Sequence, residues 1–135
     1  VTRAPGARVS LLDNHTLVKD GHELVRLLEI EGIGVRAALW VHSNDTSIWQ
    51  LWIVPQHDFK DKRQFYHKIS LILSKNREVF SNIDAADVEM VAETHPALPA
   101  LSKFIRIEGF DSAHISNNIF NEFFIPDGII LRIAL

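Results

Sequence analysis

Val35-Arg36-Ala37-Ala38-Leu39-Trp40-Val41-His42 and, after a short polar break, Ser47-Ile48-Trp49-Gln50-Leu51-Trp52-Ile53-Val54-Pro55 decide the fold. Both runs are rich in β-branched and aromatic types, and Ser43, Asn44, Asp45 and Thr46 between them are turn formers, so the stretch reads as a β-hairpin. Alternation gives each strand two faces. Val35, Ala37, Leu39 and Val41 share one face, and simple pairing adds Trp49, Leu51 and Ile53. This apolar set is expected beneath the helices. The other face carries Arg36, Ala38, Trp40 and His42 with Ile48, Gln50, Trp52 and Val54.

Helices flank this hairpin. Leu17, Val18, Gly21, Leu24, Val25 and Leu28 recur at helical spacing opposite His15, Lys19, His22 and Arg26, which predicts a helix from about Asn14 to Glu31. Asp13 is its expected N-cap, and Gly32 and Gly34 mark its exit. A second helix is predicted from Phe59 to Asn76, with Lys62, Phe65, Tyr66, Ile69, Ile72 and Leu73 inward. Leu71 interrupts its polar side. Residues 84–93 hold a short strand with Val88, Met90 and Ala92 alternating. Thr94 then caps a short helix with Pro96 in an early position and Leu98, Leu101 and Phe104 buried.

The remainder reads as β structure. Residues 104–108 form a strand, 108–118 a polar loop with a possible short strand near Ile115, and 118–125 pairs with 129–135 around Pro126-Asp127-Gly128, a strong turn signal. Ile129, Leu131, Ile133 and Leu135 line one side with Phe123 and Ile125. Phe120, Phe124, Ile130 and Ala134 line the other, where Glu122 and Arg132 stand within reach of a cross-strand ion pair. The element order is α-β-β-α-β-α-β-β-β. It predicts a single α+β domain over residues 11–135, with a mixed, mostly antiparallel sheet and helices packed on one face. Residues 1–10 form a flexible N-terminal arm.

At 135 residues the chain has the size of one domain. Its 47% apolar and 23% charged residues exclude a disordered or low-complexity chain. With no Cys there is no disulfide, thiolate nucleophile or Cys-ligated metal. A formal charge of −3 argues against a general nucleic-acid or membrane binder. No signal-like run opens the sequence and no 18-residue apolar segment occurs, so a cytoplasmic location is expected.

The functional expectation rests on the sheet face away from the helices. Trp40, Trp52, Phe120, Phe124 and Ile130 all project there, where Thr, Lys, Glu and Gln are usual. So large an apolar patch calls for a cover. The leading expectation is a non-catalytic interaction module, a homodimer or a complex with a protein partner, with these five side chains as anchors. Arg36, His42, Gln50, Glu122 and Arg132 serve as orienting or rim groups. A cover supplied by the same chain is the alternative.

The segment Arg36-Ala37-Ala38-Leu39-Trp40, followed by Trp49-Gln50-Leu51-Trp52-Ile53-Val54-Pro55, resembles a group of small bacterial proteins of unassigned activity. In these an N-terminal helix precedes a Trp-containing hairpin and a C-terminal hairpin. The resemblance covers most of the chain after Leu11 and implies the fold, with no activity, cofactor or catalytic residue attached.

Two further readings compete. Asp111, Ser112 and His114 place an acid, a nucleophile and a base in one polar loop, the weak candidates for a small hydrolase or nuclease-like enzyme. Ser112 lacks the Gly-x-Ser-x-Gly elbow that exposes a nucleophile, and Asp87 and Glu89 lack a Lys two residues on. Residues 58–77 carry six Lys or Arg against two Asp, and Lys60, Arg63, His67 and Lys75 form a basic face for an acidic partner or nucleic acid. Seven His occur without paired metal-ligand spacing, and no Gly-rich loop leads into a helix, so neither metal nor cofactor is expected.

Overall fold

The computed structural model describes residues 14–43, 45, 46 and 48–135. Five strands form one mixed sheet: β1 (Val35–His42), β2 (Trp49–Pro55), β3 (Val88–Met90), β4 (Ala113–Phe120) and β5 (Phe123–Ile133), in the order β3-β2-β1-β5-β4. Only β2 and β3 run parallel, and every other neighbouring pair is antiparallel. Among the described residues the helices are α1 (Asn14–Ile30), α2 (Lys62–Lys75) and α3 (Ala97–Ser102), with one 3-10 turn at Ala85–Asp87. The chain is thus an α+β domain with the expected order of elements. The strand expected over 104–108 is present as one bridge, Ile107 to Ile133. No helix among the described residues is long and apolar enough to cross a membrane. The expected N-terminal arm and the Asp13 cap lie outside the described residues.

Helix α1 ends as its glycine foretells. Gly32 adopts φ +91°, its N–H donates to the carbonyl of Glu29, and the N–H of Ile33 donates to that of Leu28. These paired bonds close a Schellman motif, which favours glycine at the left-handed position. Helix α2 starts later than the periodicity implies, because Asp61 accepts from the N–H of Gln64 and so fixes the first turn at Lys62. Lys62 is exposed, and Phe65, Ile69, Ile72 and Leu73 are buried.

The two faces of β1 are exchanged relative to the sequence reading. Trp40 pairs with Leu51 and Leu39 with Trp52, with an irregularity between Val35 and Ala37. Cross-strand partners share a face, so one residue of register reverses a strand. Ala38, Trp40, Trp49, Leu51 and Ile53 therefore share a core with α1 and α2, whereas Ala37, Leu39, Val41, Trp52 and Val54 face the other way. The reversal has a polar cause. The Trp40 indole N–H donates to the Leu17 carbonyl of α1 at 2.8 Å, which holds the ring on the α1 side. Gly21 makes room for it, since a Cβ there would stand 2.2 Å from Leu131 Cδ1 and 3.0 Å from Trp40 Nε1.

Helices cover both faces, not one. The two long helices lie on the Trp40 side, and α3 places Ala97, Leu98 and Leu101 against Leu39, Trp52, Ile130 and Ile133 on the other. Phe104, expected inside, lies beyond the end of α3 and is 77% exposed.

The C-terminal turn also moves. Asn121 and Glu122 have φ of 52° and 69° between the closing pair Phe120 and Phe123, the signature of a two-residue type I′ turn. Pro126-Asp127-Gly128 runs within β5 instead. Pro126 is tolerated because β1 pairs only from Asp127 onward, and on the other side it falls between the pairs Ser116–Asp127 and Asn118–Ile125, beside Asn117 at φ 52°. Gly128 serves close approach, as a Cβ there would lie 3.1 Å from the Trp40 carbonyl oxygen.

Candidate functional site

The face opposite α1 is built from three segments. Strand β2 presents Trp52, the loop before α3 presents His95, and the β4–β5 hairpin brings Phe123. Their ring centroids lie 4.8 Å (Trp52–His95), 4.7 Å (His95–Phe123) and 5.5 Å (Trp52–Phe123) apart. Nδ1 of His95 accepts the N–H of Ala97 at 3.2 Å, which holds the ring at the start of α3. Burial among these rings lowers the His95 pKa, with the charge of Glu89 opposing the shift.

The residues expected to anchor an interface separate into two groups. His42, Gln50, Trp52 and Phe124 converge on one open cleft of about 450 Å³ between the hairpin and the β1–β2 end of the sheet. Trp40 belongs to the α1 core, Ile130 is fully buried beneath α3, and Phe120 is also inside, so the chain itself covers these three. Arg132 does not pair with Glu122. The bulge between its β1 partners turns it toward α1, where Nη1 donates to Glu29 Oε2 at 2.6 Å and its guanidinium lies 6.0 Å from the Phe110 ring. Glu122 occupies the turn. Arg36 donates to Glu93 Oε2 at 2.5 Å.

Beside the cleft, Ile119 and Phe124 stand directly opposite each other on β4 and β5, exposed by 70% and 45%. The sequence reading missed Ile119 because it put the turn at Pro126-Asp127-Gly128, five residues after its actual start at Asn121. The two positive-φ positions carry Asn and Glu rather than the Asn-Gly that marks such turns.

The 108–118 segment is not a loop across the aromatic face. Phe110 and Asp111 lie against α1, where the His22 ring is 3.0 Å from the Asp111 carbonyl and 5.4 Å from the Phe110 ring. The rest forms β4. His114 bonds to Asp127, and no hydrogen bond among the described residues links Asp111, Ser112 and His114 to one another. Lys60, Arg63, His67 and Lys75 are all exposed, with Lys68 drawn off to Glu31 at 3.1 Å. No three His, Asp or Glu among the described residues stand close enough together to hold a metal ion.

A polar cluster that local spacing does not signal forms around Glu93. Its Oε1 bonds His57 Nδ1 at 2.9 Å while Arg36 holds Oε2, and these contacts, that of His57 first, lower its pKa. Three separate segments supply it, which is why no motif announces it.

Comparison with protein-family models, with curated proteins and with solved structures finds no match to this chain.

Proposed function

We propose that the chain is a non-catalytic interaction module whose partner is a second copy of itself. The observation that carries this reading is the adjoining pair of features on the hairpin side. An exposed apolar ridge, Ile119 with Phe124, borders a cleft floored by Trp52 and Phe123, and Phe124 belongs to both. A two-fold arrangement seats the ridge of each copy in the cleft of the other, so one patch satisfies both sides.

Charge supports a like partner over an acidic or basic one. Strand β4 is a sheet edge of eight residues whose single titratable side chain, His114, is already bonded to Asp127. Edges of monomeric sheets are commonly guarded by Lys or other charges, and β4 carries none. That edge meets its own copy without charge repulsion, while Asp45 and Glu89 lie on the wall of the neighbouring cleft. A bacterial, cytoplasmic setting completes the proposal, consistent with the cysteine-free sequence.

Light scattering or sedimentation at micromolar concentration tests it. The wild-type chain is expected to be dimeric. Phe124→Asp and Ile119→Lys, both at exposed positions, are expected to give folded monomers with unchanged circular dichroism. A wild-type chain that stays monomeric up to ~100 μM, a concentration that would leave only millimolar affinity, overturns the proposal.

A further inference from the structure

The only parallel neighbours among the described strands, β2 and β3, send their chains to opposite sides. After Pro55 the chain enters α2, whose Phe65, Ile69 and Leu73 share the core of α1. After Met90 it enters α3, whose Leu98 and Leu101 belong to the opposite core. Where connections from adjacent parallel strands diverge in this way, a crevice opens at their carboxyl ends, the usual ligand position in open α/β sheets. Here that crevice is a cleft of about 350 Å³, separate from the hairpin surface.

Its lining is divided by chemistry. Val54, Phe59, Met90 and Val91 give an apolar part, while His57, Lys60, Lys62 and Glu93 give a charged one. Both oxygens of Glu93 are already engaged, by Arg36 and His57. Lys60 and Lys62 form no ion pair among the described residues, so positive charge is left unanswered at the mouth. The contact through Nδ1 orients the His57 ring and leaves its Nε2 for a ligand.

We propose that this crevice binds a small organic carboxylate with an apolar body, the anion answered by Lys60 and Lys62 and the body seated on Val54, Met90 and Val91. A bare inorganic anion leaves the apolar part unfilled, and a neutral apolar molecule leaves the lysines unanswered.

Titration of the isotope-labelled full chain with hexanoate, hexanol, acetate and inorganic phosphate, followed by heteronuclear NMR, tests this. Hexanoate is expected to give saturable shifts at Phe59, Lys62, Val91 and Thr94, with hexanol, acetate and phosphate each at least about tenfold weaker. The double variant Lys60→Ala/Lys62→Ala, at exposed positions, is expected to weaken hexanoate about tenfold and leave hexanol unchanged. Absence of saturable shifts up to ~20 mM, a limit that already corresponds to very weak affinity, overturns the proposal. So does hexanol or phosphate binding as tightly as hexanoate, or an unaltered hexanoate affinity in the double variant.

Discussion

The indole nitrogen of Trp40 donates to the main-chain carbonyl of Leu17 across 2.8 Å, tying the central strand to the first helix at the one point where a glycine, Gly21, lets them approach. Trp40→Phe is expected to lower stability by about 1–3 kcal/mol, through the lost hydrogen bond and the space left by the smaller ring. Gly21→Ala gains about 1 kcal/mol of helix propensity. It is nevertheless expected to be destabilising overall, because its methyl group meets the buried Leu131 and overpacking typically costs about 1–3 kcal/mol. Urea unfolding of both variants provides the check.

The Asn121-Glu122 turn supplies a test of opposite sign. A glutamate at φ 69° strains its backbone, and Asn-Gly is the preferred type I′ pair. Glu122→Gly is expected to raise stability by about 1 kcal/mol, the scale of the left-handed penalty it removes. A loss in thermal unfolding would show that the strands do not reverse here.

How much of this was legible in the sequence follows from the range of each interaction. The α1 stripe and its glycine exit are local signals, and both emerged in place. The faces of β1 were not legible, because a register difference of one residue inverts them and the arbiter, the Leu17 carbonyl, lies 23 positions away. The Pro126-Gly128 turn failed for a related reason. Pairing on both sides of β5 from Asp127 onward outweighs turn propensity, and Gly128 answers to the Trp40 carbonyl instead. Of the site, Trp52 and Phe124 were recognisable as unusual sheet residues, and His42 and Gln50 as rim groups beside them. Glu93 was not, since its partners Arg36 and His57 come from distant segments.

Arg132 and Glu29 are bound across 2.6 Å with the guanidinium largely inside, and Nε of Arg132 has no hydrogen-bond partner among the described residues. Glu29→Ala leaves that charge uncompensated and is expected to cost about 1–3 kcal/mol, below the range for a fully buried pair because Glu29 remains partly in water. The double variant Glu29→Ala/Arg132→Met is expected to recover a large part of the loss. A double-mutant cycle from denaturant unfolding measures the coupling, and strictly additive losses would contradict it.

His95 makes stability depend on acidity. Its pKa is depressed by burial below 6.5, so between pH 6.5 and the lowered native value the unfolded chain takes up a proton that the folded one refuses. Stability is unaffected by this group above pH 6.5 and is expected to decline as pH falls through that window. Protonation would also end acceptance of the Ala97 N–H. His95→Asn, which retains an acceptor for that N–H, is expected to flatten the acid side of a plot of melting temperature against pH.

Strand β1 takes one neighbour from the hairpin that follows it and the other from the far end of the sheet, with Ala37 matched to Ile133. During synthesis the first partnership forms once Pro55 has emerged, but the second waits until β5, Phe123–Ile133, has left the ribosome as well. In that interval the unmatched side of β1 is an open strand bearing Leu39 and Val41, the kind of surface that chaperones shield and that recruits other nascent chains. A chain halted before residue 123 should consequently be lost to aggregation, however well its first helix and hairpin have formed.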